Sequence, residues 1–243
     1  MSTFALNSNP LMTNFLVREV GAFRDDPIVI LDIGARGGLN PEWSVFADQA
    51  KVYCFEPDEH ECKRLADDAP AHVTYIPRAL GRTSGRATLY QAKLPASTSL
   101  YQTRMDYFGC LLNRDNGETI GRESVEARSL DDVMSEYGIK SANFIQIDAE
   151  GAELDILLGA RACLAEATPL GILSEVRFHE EINGSAPFAL LDQFVREEGF
   201  RLYDLQFHYQ SRVSLPYPGL SGYRNQAKFA SVEWQGRTLA QDR

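Results

Sequence analysis

Cysteine is sparse in this chain. The four cysteines in 243 residues (Cys54, Cys62, Cys110 and Cys163) are scattered and form no C-x-x-C pair. That argues against a disulfide framework or a zinc site, and suits reduced, packed thiols in a cytoplasmic protein. No apolar run approaches membrane-spanning length, and the N-terminus lacks the basic-then-apolar pattern of a signal peptide. Positive charge is also short: 24 Lys and Arg against 34 Asp and Glu leave a formal net charge of −10. Such a balance argues against a protein that tracks nucleic-acid phosphates. There is no internal repeat and no linker, so the length fits one α/β domain with embellishments.

A further absence lies within the richest motif. Val29-Ile30-Leu31-Asp32-Ile33-Gly34-Ala35-Arg36-Gly37-Gly38 reads as a buried strand breaking into a glycine turn, but it is not G-x-G-x-x-G. Arg36 stands in place of the middle glycine and would crowd a pyrophosphate. A second apolar strand, Val52–Phe55, ends in Glu56-Pro57, which puts an acid where ribose hydroxyls are held in open α/β sheets. Asp32 adds a carboxylate beside the turn. A positive ligand without phosphate suits that setting, and S-adenosylmethionine carries a sulfonium and an ammonium.

The rest of the chain alternates strand and helix. Residues 1–27 form an N-terminal helical extension whose apolar stripe is Phe15, Leu16 and Val20. Strand one covers Ile28–Asp32. A helix follows Pro41, with Trp43, Phe46 and Ala47 inward. After Val52–Phe55 comes a helix from Asp58 with Cys62 and Leu65 inward, then strand Val73–Ile76, a loop at Arg78–Gly81 and a hairpin strand over Gly85–Gln91. Residues 92–123 have weak periodicity and read as an insertion, part lid and part substrate wall. Ser124–Arg128 is a short strand and Leu130 begins a helix. Asn143–Asp148 is a central parallel strand, and Glu150–Glu153 opens a helix with Leu154, Leu157 and Leu158 on one face. Strand Gly171–Val176 and a helix stopping at Gly199 precede an expected antiparallel pair, Arg201–Phe207 and Lys228–Trp234. The expected architecture is a three-layer, Rossmann-like α/β fold: a single domain over 28–243 with a seven-stranded methyltransferase sheet and a C-terminal antiparallel hairpin. Ligands in such sheets lie outside the carboxyl ends of the strands, so the Gly34–Gly38 turn, Glu56, Asp148 and Glu175 should share one rim.

Phe144–Ala160 (FIQIDAEGAELDILLGA) resembles the hallmark of the FkbM-type methyltransferases. Asp32-Ile33-Gly34-Ala35, Phe55-Glu56-Pro57, Ala79-Leu80-Gly81, Ser97-Thr98-Ser99-Leu100 and Ser129-Leu130-Asp131-Asp132 match as well, so the resemblance runs from about Ile28 to Phe207. It implies an S-adenosylmethionine-dependent enzyme that methylates a hydroxyl of a sugar, a glycan or a secondary metabolite. Asp32, Gly34, Ala35, Arg36 and Gly37 are then expected at the methionine end of the cofactor, Glu56 and Pro57 at the ribose, Ala79 and Leu80 at the adenine, and Asp148 beside both cofactor and acceptor.

Methyl transfer to oxygen needs an acceptor held in line with the methyl group, and a hydroxyl benefits from a base. The candidates are Asp148, Glu175 and His179, with Glu150 either part of the site or a carboxylate that favours the helix start. Asp148, Glu150, Glu175 and His179 could also ligate Mg2+, although no local spacing demands a metal. Arg177 could bind an acidic substrate group or neutralise Glu175, and Arg104, Arg114 and Arg122 could face an anionic donor. The N-terminal helix and Tyr217-Pro218-Gly219 offer a homodimer contact. Two other readings compete: an NAD-dependent sugar oxidoreductase, and a non-catalytic S-adenosylmethionine-binding protein.

Overall fold

The computed structural model describes residues 10–109, 111, 114–211 and 225–236. Ten strands and six α-helices follow in chain order: α1 Leu11–Asn14, β1 Ile28–Ile33, β2 Ala50–Phe55, α2 Glu59–Asp67, β3 Val73–Ile76, β4 Ala79–Leu80, β5 Gly85–Ala92, α3 Met105–Phe108, β6 Thr119–Arg128, α4 Leu130–Tyr137, β7 Phe144–Ile147, α5 Glu153–Leu158, β8 Gly171–Arg177, α6 Phe188–Glu197, β9 Arg201–Ser211 and β10 Asn225–Gln235.

Seven strands make the main sheet, in the order β3-β2-β1-β7-β8-β10-β9. The first five run parallel, and β10 lies antiparallel to both β8 and β9. Every residue of β1 is buried, as a central parallel strand covered on both faces requires. Its side chains alternate between two cores. Ile28 and Ile30 join Val17, Phe46 and Val52 on one face. Val29, Leu31 and Ile33 join Leu130, Val133, Ile156, Leu157 and Val195 of α4, α5 and α6 on the other. The result is the three-layer arrangement expected, closed by the expected hairpin.

Several local expectations are corrected. The stretch after Pro41 is a 3-10 helix over Pro41–Gln49, broken where Ala47 takes φ +49°; Ala47 is exposed while Phe46 is buried. In the N-terminal segment α1 continues as a wider, π-type turn over Phe15–Val20. Its buried residue is Val17, whereas Phe15 and Val20 are exposed. Ala79 and Leu80 are not loop. They form β4, which joins β6 and β5 in a second sheet of order β4-β6-β5. Strand β6 begins at Thr119, so the last part of the 92–123 stretch is strand. Tyr217–Gly219 and Cys110 lie outside the described residues.

Candidate active site

Strand register builds the rim. Ile33 pairs with Phe55 on one side and Ile147 on the other, Phe55 pairs with Ile76, and Ile147 pairs with Ser174. The next residue on each strand is therefore Gly34, Glu56, Asp148, Pro77 and Glu175, one row across the carboxyl end of the sheet. The residues that sequence spacing placed on one rim are together there.

The glycine turn is tied to its neighbours by backbone. The N–H groups of Gly34 and Ala35 both donate to the Phe55 carbonyl, and Asp148 N–H donates to Ile33. Gly34, Gly37 and Gly38 all have positive φ, the region only glycine enters cheaply. Beneath the turn, Asp32 is buried and accepts from the Asn40 N–H at 3.2 Å. Burial pushes its carboxyl up to about 6, against the lowering pull of that N–H. The Asn40 amide and the Trp43 indole both donate to Gln146 Oε1, at 3.0 and 2.7 Å, fastening the turn to β7. Gln146 is the polar residue within an otherwise apolar strand, and this is its partner set.

Glu56 is buried at the end of β2 and accepts the Asp58 N–H at 2.8 Å. Arg36 reaches from the glycine turn to both acids, at 3.6 Å from Glu56 and 3.2 Å from Asp58. Asp58 also caps α2, accepting from the N–H groups of His60 and Glu61. Burial raises the Glu56 carboxyl, with the Asp58 N–H and Arg36 opposing.

A cavity of about 670 Å3 opens along this rim, within the range of small-molecule sites. Gly34, Arg36, Glu56, Pro57, Ala79, Leu80 and Asp148 line it. Its far wall is the second sheet, through Leu89 and Gln91 of β5 and Glu123 and Val125 of β6. Thr98, Ser99 and Glu123 belong to the 92–123 stretch expected to be part substrate wall, whereas sequence reasoning missed Asp58 and the contribution of Leu89, Gln91 and Val125. The Ser99 backbone pairs with Tyr90 of β5, and its hydroxyl donates to the Glu150 carbonyl at 2.7 Å. Seven acidic residues line the cavity against two arginines. That lining fits a sulfonium and an ammonium and repels a pyrophosphate. Of the arginines expected to face an anionic donor, Arg104 pairs with Asp106 and Glu180, Arg114 with Asp115, and Arg122 lies over the Tyr90 ring.

The turn after β7 explains most of its motif. Glu150 does not open a helix. It sits at φ +51°, followed by Gly151 at +103°, and α5 starts only at Glu153. The buried Glu153 carboxylate accepts from Ala149 and Gly151 N–H, at 3.2 and 3.0 Å. A Cβ at Gly151 would press on Ile182 and Ser185, and one at Gly159 would overlap the Gly81 carbonyl. Asp148 is accessible from the cavity. Desolvation, then the nearby Glu150 and Glu153 carboxylates, push it up to about 7, with Arg177 opposing.

Glu175 and His179 stand apart from the cavity lining. Arg177, 3% exposed, donates to Glu150 at 2.5 Å and to Glu175 at 2.8 Å, and lies 3.7 Å from Glu181. Burial works against its charge, and the surrounding carboxylates outweigh that and raise its pKa. Burial drives the Glu175 carboxyl well above its usual range, with Arg177 opposing. His179 packs against Tyr107 of α3, ring centres 5.7 Å apart and planes tilted by 30°. The 101–108 segment is pinned to the same loop: Arg104 N–H donates to the Glu181 carbonyl, Asn183 N–H donates to Gln102, and Thr103 bridges Ile182.

A five-strand parallel rim with an antiparallel hairpin, a glycine turn, an acid on the second strand and an acidic cleft is the architecture of a Rossmann-like methyltransferase fold. The FkbM methyltransferase domain model matches residues 32–202, and the chain belongs to that family. A 2-O-methyltransferase, NoeI of Sinorhizobium fredii, is 28% identical over 180 residues, covering 70% of this chain and 71% of its own. The crystal structure of an FkbM methyltransferase from Methylobacillus flagellatus superposes with a TM-score of 0.51 at 16% identity. That match covers 92% of this chain and 47% of the crystal chain, so this chain spans about half its length. Among the described residues no helix is long and apolar enough to cross a membrane.

Proposed function

We propose that the protein transfers the methyl group of S-adenosylmethionine to a hydroxyl oxygen of an uncharged sugar, glycan or secondary metabolite. The observation that carries this reading is the register that sets Gly34, Glu56 and Asp148 side by side on the wall of one acidic cavity. The 2-O-methyltransferase relative supports oxygen as the acceptor atom, and the family match favours methyl transfer over a nicotinamide oxidoreductase.

The residues fit the cofactor. Glu56 presents a carboxylate to the cavity for the ribose hydroxyls, beside Pro57. Ala79 and Leu80 would hold the adenine and the Gly34–Gly37 backbone the methionine end; Arg36 sits at the ribose end beside Glu56 and Asp58, and Asp32 lies buried beneath the turn, outside the cavity lining. When bound, the cofactor supplies an electrophilic methyl carbon on a sulfonium. The chain's own part is to place the acceptor and receive its proton. Asp148 lines the cavity in one row with Gly34 and Glu56, where it would take the hydroxyl proton as the oxygen bonds to the methyl carbon and the sulfur–methyl bond breaks, leaving S-adenosylhomocysteine. Glu175 holds Arg177 in place, and the β5–β6 wall, with Thr98 and Ser99, would face the acceptor.

The test is incubation with isotope-labelled S-adenosylmethionine and a panel of neutral, cationic and anionic glycosides, with mass spectrometry and NMR locating the label. Labelled O-methyl groups on neutral glycosides are expected. Cofactor binding without turnover on any hydroxyl would favour a non-catalytic binder, and binding of NAD(H) instead would sink the proposal.

A further inference from the structure

Asp148, Glu150 and Glu175 each offer a carboxylate oxygen, and these atoms lie within 4.8 Å of one another. Such a trio of hard oxygens is what a divalent cation takes. A guanidinium is already there. One terminal nitrogen of Arg177 binds both Glu150 and Glu175, the other faces Glu181, and the side chain is enclosed.

The geometry points to Arg177 as a positioning residue that serves as a built-in counter-ion, doing for this rim what a bound divalent cation would do. The inference rests on the reading of the rim as the methyl-transfer site. One terminal nitrogen holds two carboxylates while the other faces a third, so a single positive charge serves all three acids. It draws Glu150, on the turn after β7, and Glu175, on β8, to one point. The turn carrying Asp148 is thereby fixed to the neighbouring strand although Glu150 sits at φ +51°. Unlike a metal, this cation is not removed by a chelator and does not exchange with solvent. The acids it neutralises would otherwise repel one another at close range or gather an ion from solution.

The experiment is a Mn2+ titration of the cofactor-free protein, read by the electron paramagnetic resonance of free Mn2+. Wild type is expected to show no rim site. Arg177→Gln is expected to gain one tight site, which Glu150→Gln added to it abolishes, while Arg177→Lys restores the wild-type result. If Arg177→Gln does not fold, Arg177→Gln with Glu181→Gln removes a buried acid along with the buried base and carries the same test. A tight site in wild type that Glu175→Gln removes would overturn the inference, as would a folded Arg177→Gln variant that binds no Mn2+. No methyl donor or acceptor enters this measurement, so its failure leaves the methyl-transfer reading standing.

Discussion

Gly34 and Asp148 are packed backbone against backbone: a Cβ on Gly34 would overlap the Asp148 carbonyl oxygen. The cofactor turn and the turn carrying the proposed base are therefore one rigid unit. Gly34→Ala is expected to cost on the order of 3–5 kcal/mol of stability, because positive φ and a backbone clash coincide. Gly37 also has positive φ, but a Cβ there meets nothing within 4 Å. Gly37→Ala should cost only about 1–2 kcal/mol. Urea unfolding of both variants checks the contrast, and equal costs would refute it.

Glu56→Gln keeps the shape and loses the charge. With charge-assisted hydrogen bonds worth about 1.5–3 kcal/mol, S-adenosylhomocysteine should bind roughly 10–100-fold more weakly. Calorimetric titration measures it, and unchanged affinity would remove Glu56 from the ribose site.

Asp32 carries a pH signature. Its carboxyl titrates at about 6 in the fold against an ordinary 3.8. Between those values the folded chain holds a proton that the unfolded chain has released, so stability falls as pH rises through that window and stays lower above it. Asp32→Asn removes the dependence. The variant should gain on the order of 2–3 kcal/mol on wild type between pH 4 and pH 7, a difference read from unfolding curves at each pH.

Asp148→Asn should lower kcat on the order of 10²–10⁴-fold while S-adenosylhomocysteine still binds. Wild-type kcat should climb as pH rises through about 7, where the Asp148 carboxyl loses its proton. His179→Ala, on a residue outside the cavity lining, should reduce kcat less than about tenfold. A larger kcat loss at His179 than at Asp148 would exchange their roles.

The strands of the main sheet were legible because parallel strands buried on both faces are continuous apolar runs, as in Ile28–Ile33 and Phe144–Ile147. The rim followed because four of its five positions are a glycine or an acid: Gly34, Glu56, Asp148 and Glu175. The second sheet was harder to read. Most of β6 is solvated, so Thr119–Glu123 carries no apolar alternation that separates strand from loop. The two-residue β4 is set by pairing alone. Arg177 was read as a binder of an acidic substrate group or a partner of Glu175, but its pairing with Glu150 was not legible: Glu150 is distant in sequence, and only the pairing of β7 with β8 brings it near. Glu150 was misread because an acid ahead of an apolar helix looks like a helix start, whereas Glu153 is the residue that closes the turn.

Glu56, Asp58 and Arg36 have a joint consequence. One N–H, that of Asp58, is held by the proposed ribose acid, while the Asp58 side chain begins α2. The start of a helix and the recognition of a ligand thus draw on the same few atoms. Selection for a tighter grip on the nucleoside and selection for a sturdier fold cannot act separately at this corner. Sequence change here should therefore be slow and concerted, with acceptor choice left to drift in the segments that border the other end of the cleft.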